Sequence, residues 1–394
     1  MRYLGLSIGW RPRLLVLASA FAIVASLLAG CSALEAVSER LGGAAGNVSI
    51  NPTDAGEATF PSIAPTADAG QQTVAVRWQF EGKRVSIEVP LETAVLEGAR
   101  GADKSATVPT DWADTEWEPP YYAAFESDPA QDEFYRSVIA ALRKVRDNLG
   151  LDRDRYAELI VSMVQSIKYE TDNQPPKFPI ETVADLAGDC DDKSLLAAGI
   201  LAREGYDVSL LSFDAESHMA LGLATNGSVL RGTDYAMVEL TVDSMVGWYN
   251  APGAATAPGG GVIESPPLVI AVGKGETVYG AGRQVDKIRA ALDAAKERAD
   301  SLDGEIDRAA AKIDALETEV AALDAEMNDL KSSGKINEYN ALVDDYRSLV
   351  GRYNAAIDSY NALVVEQRDV AVARYNGILG GQTDRVGVAR LLGL

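Results

Sequence analysis

The last third of the chain carries a hydrophobic repeat that leaves it few options. Val285, Ile288, Leu292, Ala295, Ala299, Leu302, Ile306, Ala309, Ile313, Leu316, Val320, Leu323, Met327 and Leu330 follow one another at spacings of three and four. Such a seam is a heptad repeat and must be covered along its length, roughly 70 Å at the helical rise. Ser332-Ser333-Gly334-Lys335 interrupts it. A second series then runs through Tyr339, Val343, Tyr346, Val350, Tyr353, Ile357, Tyr360 and Val364, with tyrosine at every seventh position. Two heptad helices joined by a short Gly-containing turn predict an antiparallel coiled-coil hairpin, with residues 276–394 forming hairpin and tail. A parallel homodimer is the other way to cover the same seam. Small alanines facing large tyrosines suit the hairpin, because close packing needs complementary volumes.

The opposite end reads as a processing signal. Arg2, Arg11 and Arg13 precede an apolar run from Leu14 to Leu28, which ends in Leu28-Ala29-Gly30-Cys31. A basic stretch, an apolar stretch and small residues make a secretory signal over 1–30. The last four residues resemble the lipobox of bacterial-type lipoproteins, which implies cleavage before Cys31 and lipidation of its sulfur. Ala29 and Gly30 also suit ordinary signal cleavage, and the run could remain as an uncleaved anchor. No later stretch approaches the ~20 apolar residues a membrane span requires. The expected location is therefore extracytoplasmic, held to the cell membrane through lipidated Cys31. Residues 31–70 are rich in Ala, Gly, Ser, Thr, Pro and Asn and read as a flexible tether.

Charge and rare residues then exclude whole classes of function. With 58 acidic against 36 basic side chains, the formal net charge is −22. Such a chain is repelled by nucleic acid, so nucleic-acid binding is rejected. The sequence has two cysteines and one histidine. With Cys31 at the anchor, Cys190 has no partner for an internal disulfide. Cys190 and His218 alone cannot fill a Cys/His zinc site, which takes three or four ligands. No metal and no cofactor is expected.

Between the two ends the pattern changes period. Val74, Val76, Trp78 and Phe80, then Glu81-Gly82-Lys83, then Val85, Ile87 and Val89 predict a β-hairpin. Turn chemistry and aromatics over 98–130 predict an ordered irregular segment, which completes an N-terminal region over 71–130. Phe134, Val138, Ile139, Leu142 and Val145 mark one face of a helix, and a second helix is expected over 152–169. Pro175 to Pro179 must be extended. A third helix follows Gly188, and strand-like runs cover 208–213, 218–223, 235–242 and 268–272. Helices first and antiparallel strands afterwards predict an α+β domain over 131–275. A Gly/Pro/Ala loop covers 251–261.

One constellation within this domain can carry chemistry. Cys190 stands at a turn entering a helix, where unpaired N–H groups favour a negative sulfur. Asp189, Asp191 and Asp192 oppose that charge, so the thiol needs a base, and the chain holds one imidazole. His218 opens a strand, and Glu239 on the next strand can orient it. Asp234 and Asp243 are the other candidates for that task. An inert buried thiol and a merely structural histidine are the bland alternative.

Gln165-Ser-Ile-Lys-Tyr169, Phe178-Pro-Ile-Glu181-Thr182, Gly188-Asp-Cys190-Asp-Asp-Lys-Ser194, His218-Met-Ala and Val238-Glu239-Leu-Thr241 together resemble the prokaryotic branch of the transglutaminase-like superfamily. The resemblance covers about 130 to 250. It implies a papain-like core in which Cys190 attacks an acyl carbon, His218 moves the proton and Glu239 orients His218. Gln165 is a weaker candidate for polarising the substrate carbonyl. Many relatives carry an aromatic soon after the histidine, whereas Met219-Ala220-Leu221 follows here. The implied activity is cysteine-dependent acyl transfer or hydrolysis of a peptide or amide substrate. Because the superfamily also includes inactive members, the alternative is an envelope scaffold acting through its coiled coil, on a protein partner or by self-association.

Overall fold

The computed structural model describes residues 49–53, 57–171, 175–248, 255–256, 262–263, 265–381 and 384–394. Cys31, the signal and most of the 251–261 loop lie outside the described residues. The chain begins with β1 (Ile50–Thr53), followed by the hairpin strands β2 (Gln71–Phe80) and β3 (Lys83–Glu92). Glu81 and Gly82 both have positive φ, 47° and 71°. That is the two-residue turn whose twist matches paired antiparallel strands, and glycine adopts it without a Cβ clash. The hairpin places Val76, Trp78, Phe80, Ile87, Val89 and Leu91 on its buried face. The Trp78 indole N–H donates to Ser162 Oγ at 3.1 Å, which fixes the hairpin to the helix carrying Ser162.

Two expectations fail in this N-terminal part. The tether does not extend to residue 70: β1 pairs with a later strand, Ile63 is buried, and its N–H donates to Asp128 Oδ2 at 2.8 Å. The segment over 98–130 is also more regular than its turn chemistry suggests. It contains the end of α1 (Thr93–Gly101), then β4 (Ala106–Pro109) and α2 (Asp114–Glu126). Pro119 and Pro120 lie inside α2, where they cost it the N–H bonds to carbonyls of its first turn and crowd those same carbonyls. Burial of Tyr121, Tyr122 and Phe125 outweighs that loss.

Three helices follow, α3 (Asp132–Leu149), α4 (Arg153–Gln165) and α5 (Pro179–Asp185), with β5 (Lys168–Tyr169) and β6 (Ala187–Gly188) pairing in parallel around α5. The second of these helices stops at Gln165, earlier than its apolar pattern suggests. Helix α6 (Cys190–Arg203) is buried from Cys190 through Leu201. A helix enclosed on all sides is a central element rather than a surface one. It packs on an antiparallel sheet made of β7 (Asp207–Phe213), β8 (His218–Ala224), β9 (Tyr235–Val238) and, beyond the short pair β10 (Ala255–Thr256) and β11 (Val262–Ile263), β12 (Leu268–Lys274). The strand order is β12-β7-β8-β9. The architecture is thus mixed helix and sheet, with an antiparallel sheet, as expected.

The last third forms two long helices, α7 (Gly282–Ser332) and α8 (Ile336–Gly381). Their side chains meet as Arg298 with Glu366, Asp303 with Gln367 and Glu319 with Arg352, so the helices run antiparallel. The seam on α7 follows the sequence repeat, with Leu302, Leu316 and Met327 buried. On α8 the register differs from expectation by one residue. Leu349 and Ala356 are buried, while Val350 and Ile357 are half-buried. Tyr353 packs against the same cluster, so the tyrosines alternate with Leu349 and Ala356 rather than with the β-branched residues beside them. The tail is not separate either. Helix α9 (Arg385–Leu392) returns to the main core, where Val388 and Ala389 join residues as distant as Ile63.

Candidate active site

The site forms where the N-terminus of α6 meets β8. Gly188 precedes the helix because nothing larger fits: a Cβ there would lie 2.7 Å from Asp192 Cβ. Asp189 is the N-cap, its carboxylate accepting from Asp192 N–H, while Asp192 Oδ2 accepts from Asp189 N–H at 3.3 Å. Asp192 Oδ1 also accepts from Lys177 N–H at 2.6 Å, which holds the extended 175–178 segment against the helix start. Cys190 is the first helical residue and is buried.

Met219 docks this helix on the sheet. Its carbonyl accepts from Ser194 Oγ at 3.4 Å, one turn along α6 from Cys190, and its N–H favours a negative charge on the Cys190 sulfur. Met219 follows His218, so the bond from Ser194 ties the first turns of α6 to the strand that opens with the imidazole. His218 Nε2 pairs with Glu239 Oε2 at 2.9 Å, and the buried Nδ1 has no partner among the described residues.

Glu239 sits one residue beyond β9 rather than within a strand. Its second oxygen accepts from Thr241 N–H at 2.8 Å and Thr241 Oγ1 at 2.6 Å. Burial alone would raise its pKa, but the imidazole and the Thr241 donors hold it below the ordinary carboxylate value. Asp234 and Asp243, the other candidates for orienting His218, are exposed. Gln165 takes a different place from the one its motif suggests. Its amide nitrogen donates to the Glu239 carbonyl at 2.8 Å and the Ser244 carbonyl at 2.9 Å, so both N–H groups are committed to the backbone.

The electrostatics run against a resting thiolate. Burial pushes the Cys190 thiol well above its usual value, Asp191 and Asp189 push it further, and the Met219 N–H only partly offsets them. Asp191 is wholly buried, with one oxygen on Asp192 N–H at 2.8 Å and the other without a partner among the described residues. Burial first, then repulsion among the three aspartates, raises Asp191 well above normal and Asp192 to about 7. The three carboxylates lie within 4.8 Å of one another, a spacing a divalent cation could bridge, although Asp189 and Asp192 already serve as acceptors for backbone N–H groups. The cysteine–histidine count that excludes zinc does not bear on oxygen ligands.

Lys193 is a site residue that the sequence reading missed. It is fully buried, and its ammonium donates to the carbonyls of Gln165 at 3.2 Å and Ile167 at 2.8 Å. Burial lowers its pKa to about 8, against the pull of Glu239 and Asp243. The available signal was its position three residues after Cys190, on the same face of the helix.

No family model, curated protein or solved structure matches this chain. Among the described residues no helix is long and apolar enough to cross a membrane.

Proposed function

We propose that the chain is a transglutaminase-like cysteine enzyme with a papain-like core, displayed on the cell surface by a lipid on Cys31. It forms a thioester through Cys190 with a peptide or amide carbonyl, which water or an amine then resolves. The observation that carries this reading is the state of His218. Its Nε2 is fixed by a charged, fully bonded Glu239, and its buried Nδ1 has no partner among the described residues, on the residue preceding Met219, whose carbonyl holds α6. A free imidazole nitrogen in a dry site is costly for structure alone, and it is what a proton acceptor for a thiol needs. Because the resting sulfur holds its proton, attack and proton transfer to Nδ1 are coupled, with no preformed ion pair.

The test is the rate of Cys190 alkylation by iodoacetamide across pH 5 to 10 in the wild type and in His218→Ala. A wild-type rate near neutral pH about 10²-fold or more above that of His218→Ala, although the thiol of both chains ionises only at high pH, supports the enzyme. The same profile in both chains sinks it. That outcome favours the second reading, an inactive scaffold acting through the α7–α8 hairpin, to which the raised thiol pKa and the buried sulfur also lend support.

A further inference from the structure

Addition of a thiol to a carbonyl puts a negative charge on the former carbonyl oxygen, and a site that accelerates the step places donors around it. Two polar side chains near Cys190 are already spent. Both N–H groups of Gln165 are held by carbonyls, and the Lys193 ammonium is held by two more. One donor is free: the backbone N–H of Cys190 heads the 14-residue α6 and has no acceptor among the described residues.

We propose, building on the acyl-transfer reading above, that Tyr169 is a catalytic residue, its phenol O–H supplying the second donor to the oxyanion alongside the Cys190 N–H. The β5–β6 bridge pairs Tyr169 with Gly188, two residues before the nucleophile. Glu170 N–H to the Gly188 carbonyl at 3.2 Å and Lys168 N–H to the Leu186 carbonyl at 3.1 Å lock that register. The charges of Cys190, Asp189, Glu239 and Asp191 all act on the phenol. Its hydroxyl has no hydrogen-bond partner among the described residues. Tyr169 is half-buried where Cys190 and His218 are buried, so solvent reaches it. Burial, with the neighbouring negative charges, raises its pKa and keeps the O–H a donor.

In the step itself, Sγ bonds to the carbonyl carbon, its proton passes to His218 Nδ1, and the π pair moves onto oxygen. Tyr169 and the Cys190 N–H donate hydrogen bonds and lose no proton. Collapse restores the carbonyl and breaks the bond to the leaving group, which takes the proton from Nδ1.

Two reactions of one sulfur separate this role from a structural one. Alkylation by iodoacetamide displaces iodide at a saturated carbon and forms no oxyanion, whereas acylation by p-nitrophenyl acetate does. In the whole chain, Tyr169→Phe is expected to slow acylation by about 10²-fold and to leave alkylation within about twofold, with an unchanged melting temperature. Equal effects on both reactions, or on neither, would overturn the proposal, as would a large loss of melting temperature, which would tie the hydroxyl to the fold. A wild-type chain that is alkylated but never acylated would instead remove the acyl-transfer reading, and this role with it.

Discussion

Gln165 holds Glu239 by the backbone: its amide nitrogen donates to the Glu239 carbonyl at 2.8 Å and leaves the carboxylate to His218. The same amide holds the Ser244 carbonyl, so one side chain sets the loop that carries the acid. Gln165→Leu would strand two carbonyls, at a cost of about 1–3 kcal/mol each. Urea unfolding should show that loss. Alkylation and acylation of Cys190 should fall together, because the fault lies in aiming His218. A variant as stable as wild type would remove the clamp from this account.

The aspartates predict an unusual dependence of stability on pH. In the unfolded chain Asp192 gives up its proton near 3.8, whereas in the folded protein it does so at about 7. Between those values the native state holds a proton that the unfolded state has lost, so raising the pH lowers stability. Melting temperature should therefore fall from pH 4 to pH 7. Asp191→Asn removes a carboxyl whose own raised pKa adds to the slope and should flatten it. A melting temperature that climbs through this range in the wild type would contradict the assignment.

Asp191→Asn should also change the thiol. Burial still raises the pKa of Cys190, but the largest of the charges opposing a thiolate is gone. The iodoacetamide profile should move to lower pH. No movement would mean that burial alone sets the resting state.

Arg385 pairs with Glu158 at 2.5 Å, and both are buried. Tyr279 OH donates to the same carboxylate. Arg385→Met should cost about 3–5 kcal/mol because it leaves a buried charge unpaired. Adding Glu158→Gln removes that charge, keeps an acceptor for Tyr279, and should restore most of the loss. Chemical denaturation of the two variants decides the matter; equal stability would mean that the pair is not buried in solution.

The register on α8 has its own test. Leu349→Ala should destabilise the hairpin by about 2–3 kcal/mol, and Val350→Ala by less than about 1 kcal/mol. Amide exchange along α7 and α8 reads both. The reverse order would restore the register inferred from the tyrosine spacing.

The elements legible in the sequence were those in which one period dominates. The 71–92 hairpin, α3 and the α7 seam each bury a face that repeats at two residues, at 3.6 or at the heptad's 3.5. The α8 register was ambiguous because Leu349-Val350 and Ala356-Ile357 are adjacent apolar pairs; only the facing helix decides which member goes in. Helix α2 was hidden by Pro119-Pro120, which read as a turn until the burial of Tyr121 and Phe125 is known.

The site was legible to a different degree. Cys190, His218 and Glu239 could be named because rare residues and their order single them out. Gln165 and Lys193 could not be given their places, since both act through backbone carbonyls, which every residue carries. Tyr169 likewise depends on the bridge to Gly188, a pairing that no local pattern announces.

The ion pair between Glu158 and Arg385 joins residues 227 positions apart in sequence. Glu158 shares α4 with Gln165, whose amide holds the loop of the orienting acid. The wall behind the thiol is therefore unfinished until the entire hairpin has been made, roughly 10–45 s of synthesis at typical rates. A nascent chain carries its cysteine for most of that interval without its final surroundings, and the proposed pair of Cys190 and His218 is complete only after the helices that follow it have been built.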